Sequence, residues 1–411
     1  MAVGPPGMGN SQRLHGIGWA LVLIALGVNL RPILTSISPL LNDIRESSQL
    51  GFQGAALLTS LPVVCMGLVA LLSASVEARL GEGRGIALGL LCILLACTVR
   101  GFTVDATLLL GTALVAGIGV ALIQVLVPGL VKRQFAGRVA LAMGFYSAAL
   151  MGGGGLAALF SPRLASHFGH WQAGLLVWML PALLAMLLWL KMPWRAAQPL
   201  AAGQSVQAFM RNRRAWLLAL YFGFSNCGYM TLVAWLPAYY QQLGWSTQDS
   251  GSLLALMTVF QVLAALVMPA LAQRIRERRG LLSISLIAQL LGFGGLLLQP
   301  LDSPVLWIAL IGFGLGACFA LSLILSLDHL HDPRAAGQLA AFVQGFGFLI
   351  NALAPALSGW LREQSGGFQA TWLLMLMCML VMLAVTWHFS PASYWHISTN
   401  SRLPPGELID G

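Results

Sequence analysis

The stretch from Gly16 to Leu41, GIGWALVLIALGVNLRPILTSISPLL, carries a single charge, Arg31, and two prolines, Pro32 and Pro39. A helix crosses the hydrocarbon core of a bilayer with about 20 mostly apolar residues, so this segment is long enough to span. Eleven windows of the same kind follow, at about 53–77, 85–103, 106–131, 138–161, 171–191, 215–240, 249–273, 280–299, 304–327, 336–361 and 370–389. With their short connections they use nearly all of the 411 residues, which leaves no room for a separate soluble catalytic domain.

Composition agrees with that reading. The chain is 58% hydrophobic and 9% charged, whereas a soluble domain carries about 25% charged residues. So few charges cannot build a water-facing surface, so lipid is the expected solvent and partner. The net charge of +9 would point to nucleic acid in a soluble protein. Here the basic residues fall between apolar windows, so no nucleic-acid partner is expected. Cys65, Cys92, Cys97, Cys227, Cys318 and Cys378 all lie inside apolar windows without a CxxC pair and read as packing residues. The polar start, Met1 to Leu14, leads into an apolar run that meets Asn29-Leu-Arg-Pro32 and no small-residue cleavage site. That run is read as a first mature helix, not a signal peptide.

Loop charges set an expected orientation, because cytoplasmic loops carry an excess of Lys and Arg. With the N-terminus inside, 17 basic residues fall on the cytoplasmic side. Four fall outside, Arg45, Arg100, Arg163 and Arg362, and Arg31 lies within a span. The 17 to 4 split predicts an even number of spans with both termini cytoplasmic. The longest connection, residues 192–214, divides an N-terminal unit (1–191) from a C-terminal unit (215–390), with a tail at 391–411. The halves look alike. Leu50-Gly-Phe-Gln-Gly54 and a helix ending at Arg84-Gly85 parallel Leu243 to Gly251 and a helix ending at Arg279-Gly280. The fifth span, from Leu141, similarly parallels the eleventh, from Leu339. The expected fold class is an all-α membrane protein with twelve transmembrane helices in two pseudo-symmetric six-helix bundles, a layout shared with major facilitator transporters. Gly152 to Gly155 and Gly312 to Gly316 are dense small-residue runs that let helix backbones approach closely.

Arg31 is the residue on which the functional reading turns. An arginine at mid-membrane costs about 2.5–3.5 kcal/mol on insertion scales and needs a cavity or a partner. None of the 13 acidic residues falls at mid-span, so the counter-charge is expected from a bound anion, with hydrogen bonds to backbone carbonyls or snorkelling as the alternative. Arg31, Thr35, Ser38 and Asn42 follow one helical stripe by spacing. Pro32 and Pro39 free the carbonyls of Val28 and Thr35, a break tolerated at depth where protein or water compensates. Asn29, Gln124, Tyr146, Asn226, Tyr229, Gln261, Gln344 and Asn351 are the other polar candidates for a cavity between the halves. In the repeat, Arg31 corresponds to Tyr229. Gln344, Phe348 and Asn351 share a face. Asp328, His329, His331 and Asp332 are read as surface charges at a helix end, and no metal site, cofactor or catalytic motif is expected. With no carboxylate or histidine at depth, facilitated transport, or coupling through the substrate's own protonation, is favoured over a proton relay.

The runs Asn29-Leu-Arg-Pro-Ile-Leu-Thr-Ser36, Ala56-Leu-Leu-Thr-Ser-Leu-Pro62, Ser147 to Gly155, Gly251 to Thr258, Leu327-Asp-His329 and Gln344-Gly-Phe-Gly-Phe348 together resemble the cyanate and 2-nitroimidazole permease branch of the major facilitator superfamily. The resemblance covers most of the chain. It implies a bacterial inner-membrane carrier of a small anion, working by alternating access, with Arg31 in the first-helix motif. The superfamily's loop between helices two and three usually carries Asp-Arg-x-Gly-Arg. Here Ala78-Arg79-Leu80-Gly81-Glu82 lacks the Asp, so no charge-relay gate or proton antiport is inferred from it. A monomer that is not an enzyme is expected. A permease for a neutral nitroaromatic solute is the alternative, and a membrane enzyme or sensor the alternative of another class.

Overall fold

The computed structural model describes residues 10–135, 139–192, 209–272, 274–275, 277–330, 333–392 and 394. Most of the 192–214 connection and of the 391–411 tail, with His331 and Asp332, lies outside the described residues.

Pro32 breaks the first helix where its missing N–H would have served Val28. The result is α1 (Asn10–Val28), a short α2 (Pro32–Thr35), a single 3-10 turn at Ser38–Leu40 around Pro39, and α3 (Leu41–Ser48). Before the break the chain tightens, with Asn29 N–H donating to the Leu26 carbonyl at 3.2 Å and Leu30 N–H to Gly27 at 3.1 Å. The single stripe expected from Arg31 to Asn42 is therefore corrected: two breaks rotate its members to different neighbours.

The next elements are α4 (Phe52–Leu71), α5 (Ser73–Arg100), α6 (Ala106–Gln134), α7 (Val139–Phe168), α8 (Trp171–Leu176) and α9 (Met179–Leu190). The second half holds α10 (Arg213–Gln242), α11 (Thr247–Ala272), α12 (Arg279–Leu298), α13 (Pro304–Leu327), α14 (Pro333–Ser365) and α15 (Gln369–Thr386). With α1–α3 and α8–α9 each forming one crossing, twelve segments among the described residues are long and apolar enough to span a membrane. Several boundaries differ from expectation: the first crossing runs on to Ser48 and the fifth to Phe168. The second crossing ends at Leu71, and α5 starts at Ser73 and bends at Gly81, where φ is 65°. Only glycine takes that left-handed geometry without strain.

Packing repeats between the halves. The pairs α5–α6, α4–α6, α1–α7 and α5–α9 are matched in the second half by α12–α13, α11–α13, α10–α14 and α12–α15. The halves meet along two long seams, α4 against α14 and α7 against α11. Both seams run on small residues. A Cβ at Gly67 would lie 2.8 Å from the Gly345 carbonyl oxygen, and one at Gly251 only 2.5 Å from that of Ala158. Without a hydrophobic drive in lipid, such backbone approach supplies the packing.

The polar ties between the halves that join described residues include a group at one end. Asn42 donates to Gln241 at 2.7 Å, and Gln241 donates to the Pro39 carbonyl at 2.9 Å. Gln53 donates to Glu363 at 2.8 Å, and Arg163 to Ser252 at 3.1 Å. At the opposite, basic end the ion pairs Arg133–Glu82 and Arg278–Asp328 each stay within one half.

Candidate solute-binding site

The break in the first crossing puts Arg31 at the N-terminal edge of α2. Glycines in α7 make room for it. A Cβ at Gly153 would fall 2.2 Å from the Val28 carbonyl oxygen, and one at Gly154 would fall 2.9 Å from Arg31 Cβ. Gly153 and Gly154 are thus the seat of the broken helix, while Gly155 faces Thr258 of α11. Asn29 and Thr35 fasten it. Asn29 donates to the carbonyls of Ala25 (2.7 Å) and Pro181 (3.0 Å), and Thr35 to those of Arg31 (3.1 Å) and Gly154 (2.8 Å). Both side chains are spent on backbone and do not line the cavity, unlike the expectation for them.

Arg31 itself is only 7% exposed. Its guanidinium lies 4.7 Å from the centroid of the Tyr229 ring, across the boundary between the halves. Its Nε and Nη1 are buried with no hydrogen-bond partner among the described residues, and no ion pair reaches it there. Buried donors are nearly always satisfied in native proteins; among the described residues Arg100 Nη2 and Arg362 Nε share this unpartnered state.

A cavity of about 30 Å³ opens beside it. Its polar lining is Arg31, Asn226, Tyr229, Thr258, Gln261 and Asn351, and Met151, Met230, Leu315, Phe319 and Phe348 supply apolar walls. Five of the sequence candidates therefore converge. Asn226 spends its amide N–H on the Phe222 carbonyl at 2.8 Å, while Asn351 keeps a buried, unpartnered Oδ1. Tyr146 is buried on α7 with an unpartnered hydroxyl, close enough to interact with the charge of Arg31. Gln124 and Gln344 are half-buried and stand outside the lining. Residues such as Thr258, Met151 and Phe319 were not singled out from sequence for this site. Nothing in a local apolar run tells which side chain turns inward.

Two further corrections concern charges. Arg100, expected in an outer loop, is 2% exposed. Its Nε donates to Thr112 Oγ1 at 2.9 Å and its Nη1 to the Ile33 carbonyl at 3.0 Å. It braces the broken first crossing, just after Arg31. The turn that follows is drawn into the bundle because Gly101 lets Leu176 approach, to 2.4 Å from where a Cβ would sit. His329, expected as a surface charge, is 5% exposed and stacks on Tyr394 at 4.3 Å. Its Nε2 accepts from Arg214 Nε at 3.1 Å, which leaves the hydrogen on Nδ1, 2.6 Å from the Leu325 carbonyl. Burial, and secondarily the Arg214 charge, pull its pKa down to about 4. Asp328 pairs with Arg278 at 2.8 Å. At the 78–82 loop, Glu82 is buried and paired with Arg133, so this loop carries an ion pair despite lacking the usual aspartate.

The chain resembles known proteins over nearly its full length. The family model for the Major Facilitator Superfamily matches residues 17–349 and 248–403. The cyanate transport protein CynX of Escherichia coli (strain K12) is 44% identical over 91% of this chain and 97% of its own length. The 2-nitroimidazole transporter of the same organism is 32% identical over 85% of this chain and 90% of its own. In structure, a D-xylose-proton symporter superposes with a TM-score of 0.75 at 15% identity, covering 92% of this chain and 99% of that one. Twelve apolar crossings, mirrored packing in two halves and these matches lead to one conclusion: the chain belongs to the Major Facilitator Superfamily, a family of secondary transporters.

Proposed function

We propose that this protein carries a small monovalent anion of the cyanate class across a bacterial inner membrane by alternating access, with Arg31 as the anion's ligand. The observation that carries this is the buried guanidinium with two unfilled N–H donors at a cavity shared by both halves. A planar fork of donors suits a compact anion, and Tyr229 behind it leaves the edge of the fork free. Asn351, Gln261 and Asn226 are the proposed neutral contacts, with Tyr146 beside them. The cyanate relative at 44% identity supports the same cargo.

Size supports it too. The cavity is narrow, about 30 Å³, which favours a compact solute. The aromatic walls Tyr229, Phe319 and Phe348 and the nitroimidazole relative favour a second reading, a permease for a flat neutral solute. In this proposal residues 1–191 and 215–390 tilt as two bodies. The basic end and both termini face the cytoplasm, so the Gln241 and Glu363 ties close the outer side.

The test is a thermal-shift and binding titration of purified wild type and Arg31→Ala with cyanate, other small anions and 2-nitroimidazole. Arg31-dependent stabilisation by anions is expected. Stabilisation by the nitroimidazole alone, equal in both proteins, would reject the anion reading.

A further inference from the structure

We infer that this carrier works mainly as an anion exchanger, returning across the membrane loaded far faster than it returns empty. The inference rests on the proposed role of Arg31 and adds the mode of transport to it.

Changing the side to which the cavity faces requires the two halves to repack around Arg31. The residue is 7% exposed, and its Nε and Nη1 are buried without a hydrogen-bond partner among the described residues. Those two nitrogens are thus not hydrated as they would be in bulk solvent. The polar groups around it are neutral: Asn226, Tyr229, Thr258, Gln261 and Asn351. No Asp, Glu or His lines the cavity. Among the described residues, then, no charge lines the cavity to neutralise Arg31 during closure. A bound monovalent anion cancels the charge and fills the free donors, giving a pair that is neutral and hydrogen-bonded. Without it, an uncompensated cation must pass through the closed arrangement, and a lone buried charge is strongly disfavoured. The penalty falls on the empty step alone. A proton could not substitute for the anion, since it would add charge of the same sign and finds no titratable acceptor in the lining.

The experiment uses purified wild-type protein in proteoliposomes, with radiolabelled cyanate outside. Potassium and valinomycin hold the potential at zero, so net anion entry is not limited by charge build-up. The lumen contains either excess unlabelled cyanate or an impermeant anion, and protein-free vesicles set the leak. Initial uptake should be at least about tenfold faster with internal cyanate, up to roughly 10²-fold, the ceiling an unneutralised arginine at depth implies. Equal saturable rates in the two lumens would overturn exchange while leaving the anion-carrier reading intact. No saturable uptake in either would instead remove that reading. A second arm tests the cause. Asn351→Asp puts a carboxylate into the cavity and should bring the ratio of exchange to net uptake towards one, with Gln261→Glu as the alternative if the first is unstable. A variant that still carries cyanate with the wild-type ratio would overturn the inference.

Discussion

The Arg31→Met substitution removes the guanidinium but keeps an unbranched chain of similar reach, so it separates what Arg31 does for stability from what it does for function. Arg31 is buried, unpaired by any carboxylate among the described residues, and has two nitrogens, Nε and Nη1, without hydrogen-bond partners there. Holding an arginine at mid-membrane costs about 2.5–3.5 kcal/mol on insertion scales. Its contact with the Tyr229 face at 4.7 Å returns about 0.5–2 kcal/mol. Methionine fits irregular apolar space and packs well on aromatic rings. The variant should therefore be more stable than ligand-free wild type by about 0.5–3 kcal/mol, the difference of those two ranges. Differential scanning fluorimetry in detergent reads this as a higher melting temperature. The same titration should show cyanate raising the melting point of wild type, because a ligand that binds only the folded state stabilises it, and leaving the variant unmoved. A variant that melts lower than ligand-free wild type would refute the reasoning, since Arg31 would then be compensated by contacts other than those described.

Arg100→Leu strips the Ile33 carbonyl and Thr112 of their donor. It should lower stability by about 1–3 kcal/mol, the cost of an unmet buried acceptor, and reduce cyanate affinity through the displaced first crossing. Arg100→Lys, which still reaches one acceptor, should recover part of both, and unchanged affinity in Arg100→Leu would show that the brace does not position Arg31. Burial keeps the folded His329 pKa at about 4, below its unfolded value of about 6.5. The unfolded chain therefore takes up a proton first as pH falls. Stability is full above about 6.5 and is lost progressively down to about 4, by at most about 3 kcal/mol. His329→Gln should flatten that part of the melting profile, and an unaltered profile would assign the loss to other groups. Gly251→Ala places a methyl group 2.5 Å from the Ala158 carbonyl oxygen on the seam between the halves. It should cost about 1–3 kcal/mol by overpacking and slow uptake more than it weakens binding; wild-type uptake would show that this seam opens freely.

Much of the architecture was legible from the residues alone, for a definite reason. Spanning a bilayer is a local demand on about 20 residues at a time, and so is the break at a proline that has no N–H to offer. Hence the twelve crossings, the interruption at Pro32 and the isolation of Arg31 from every mid-span carboxylate could be read directly. The partners of each side chain are not local. Whether Asn29 serves a cavity or the Pro181 carbonyl, and whether Arg100 sits in a loop or under Ile33, depends on helix contacts between residues 152 and 67 positions apart. His329 likewise looked like one of several charges at a helix end, until Tyr394 and Arg214 covered it.

From its sequence, then, this protein had to be a bundle of membrane-crossing helices containing one stranded positive charge, because hydropathy and proline chemistry act along the chain. The tertiary structure alone decided which polar groups face that charge, by docking the broken helix on the glycines of α7 and laying Tyr229 across it. The direction in which a side chain points inside a bundle is set by the backbones packed against it, and those lie far away in the sequence.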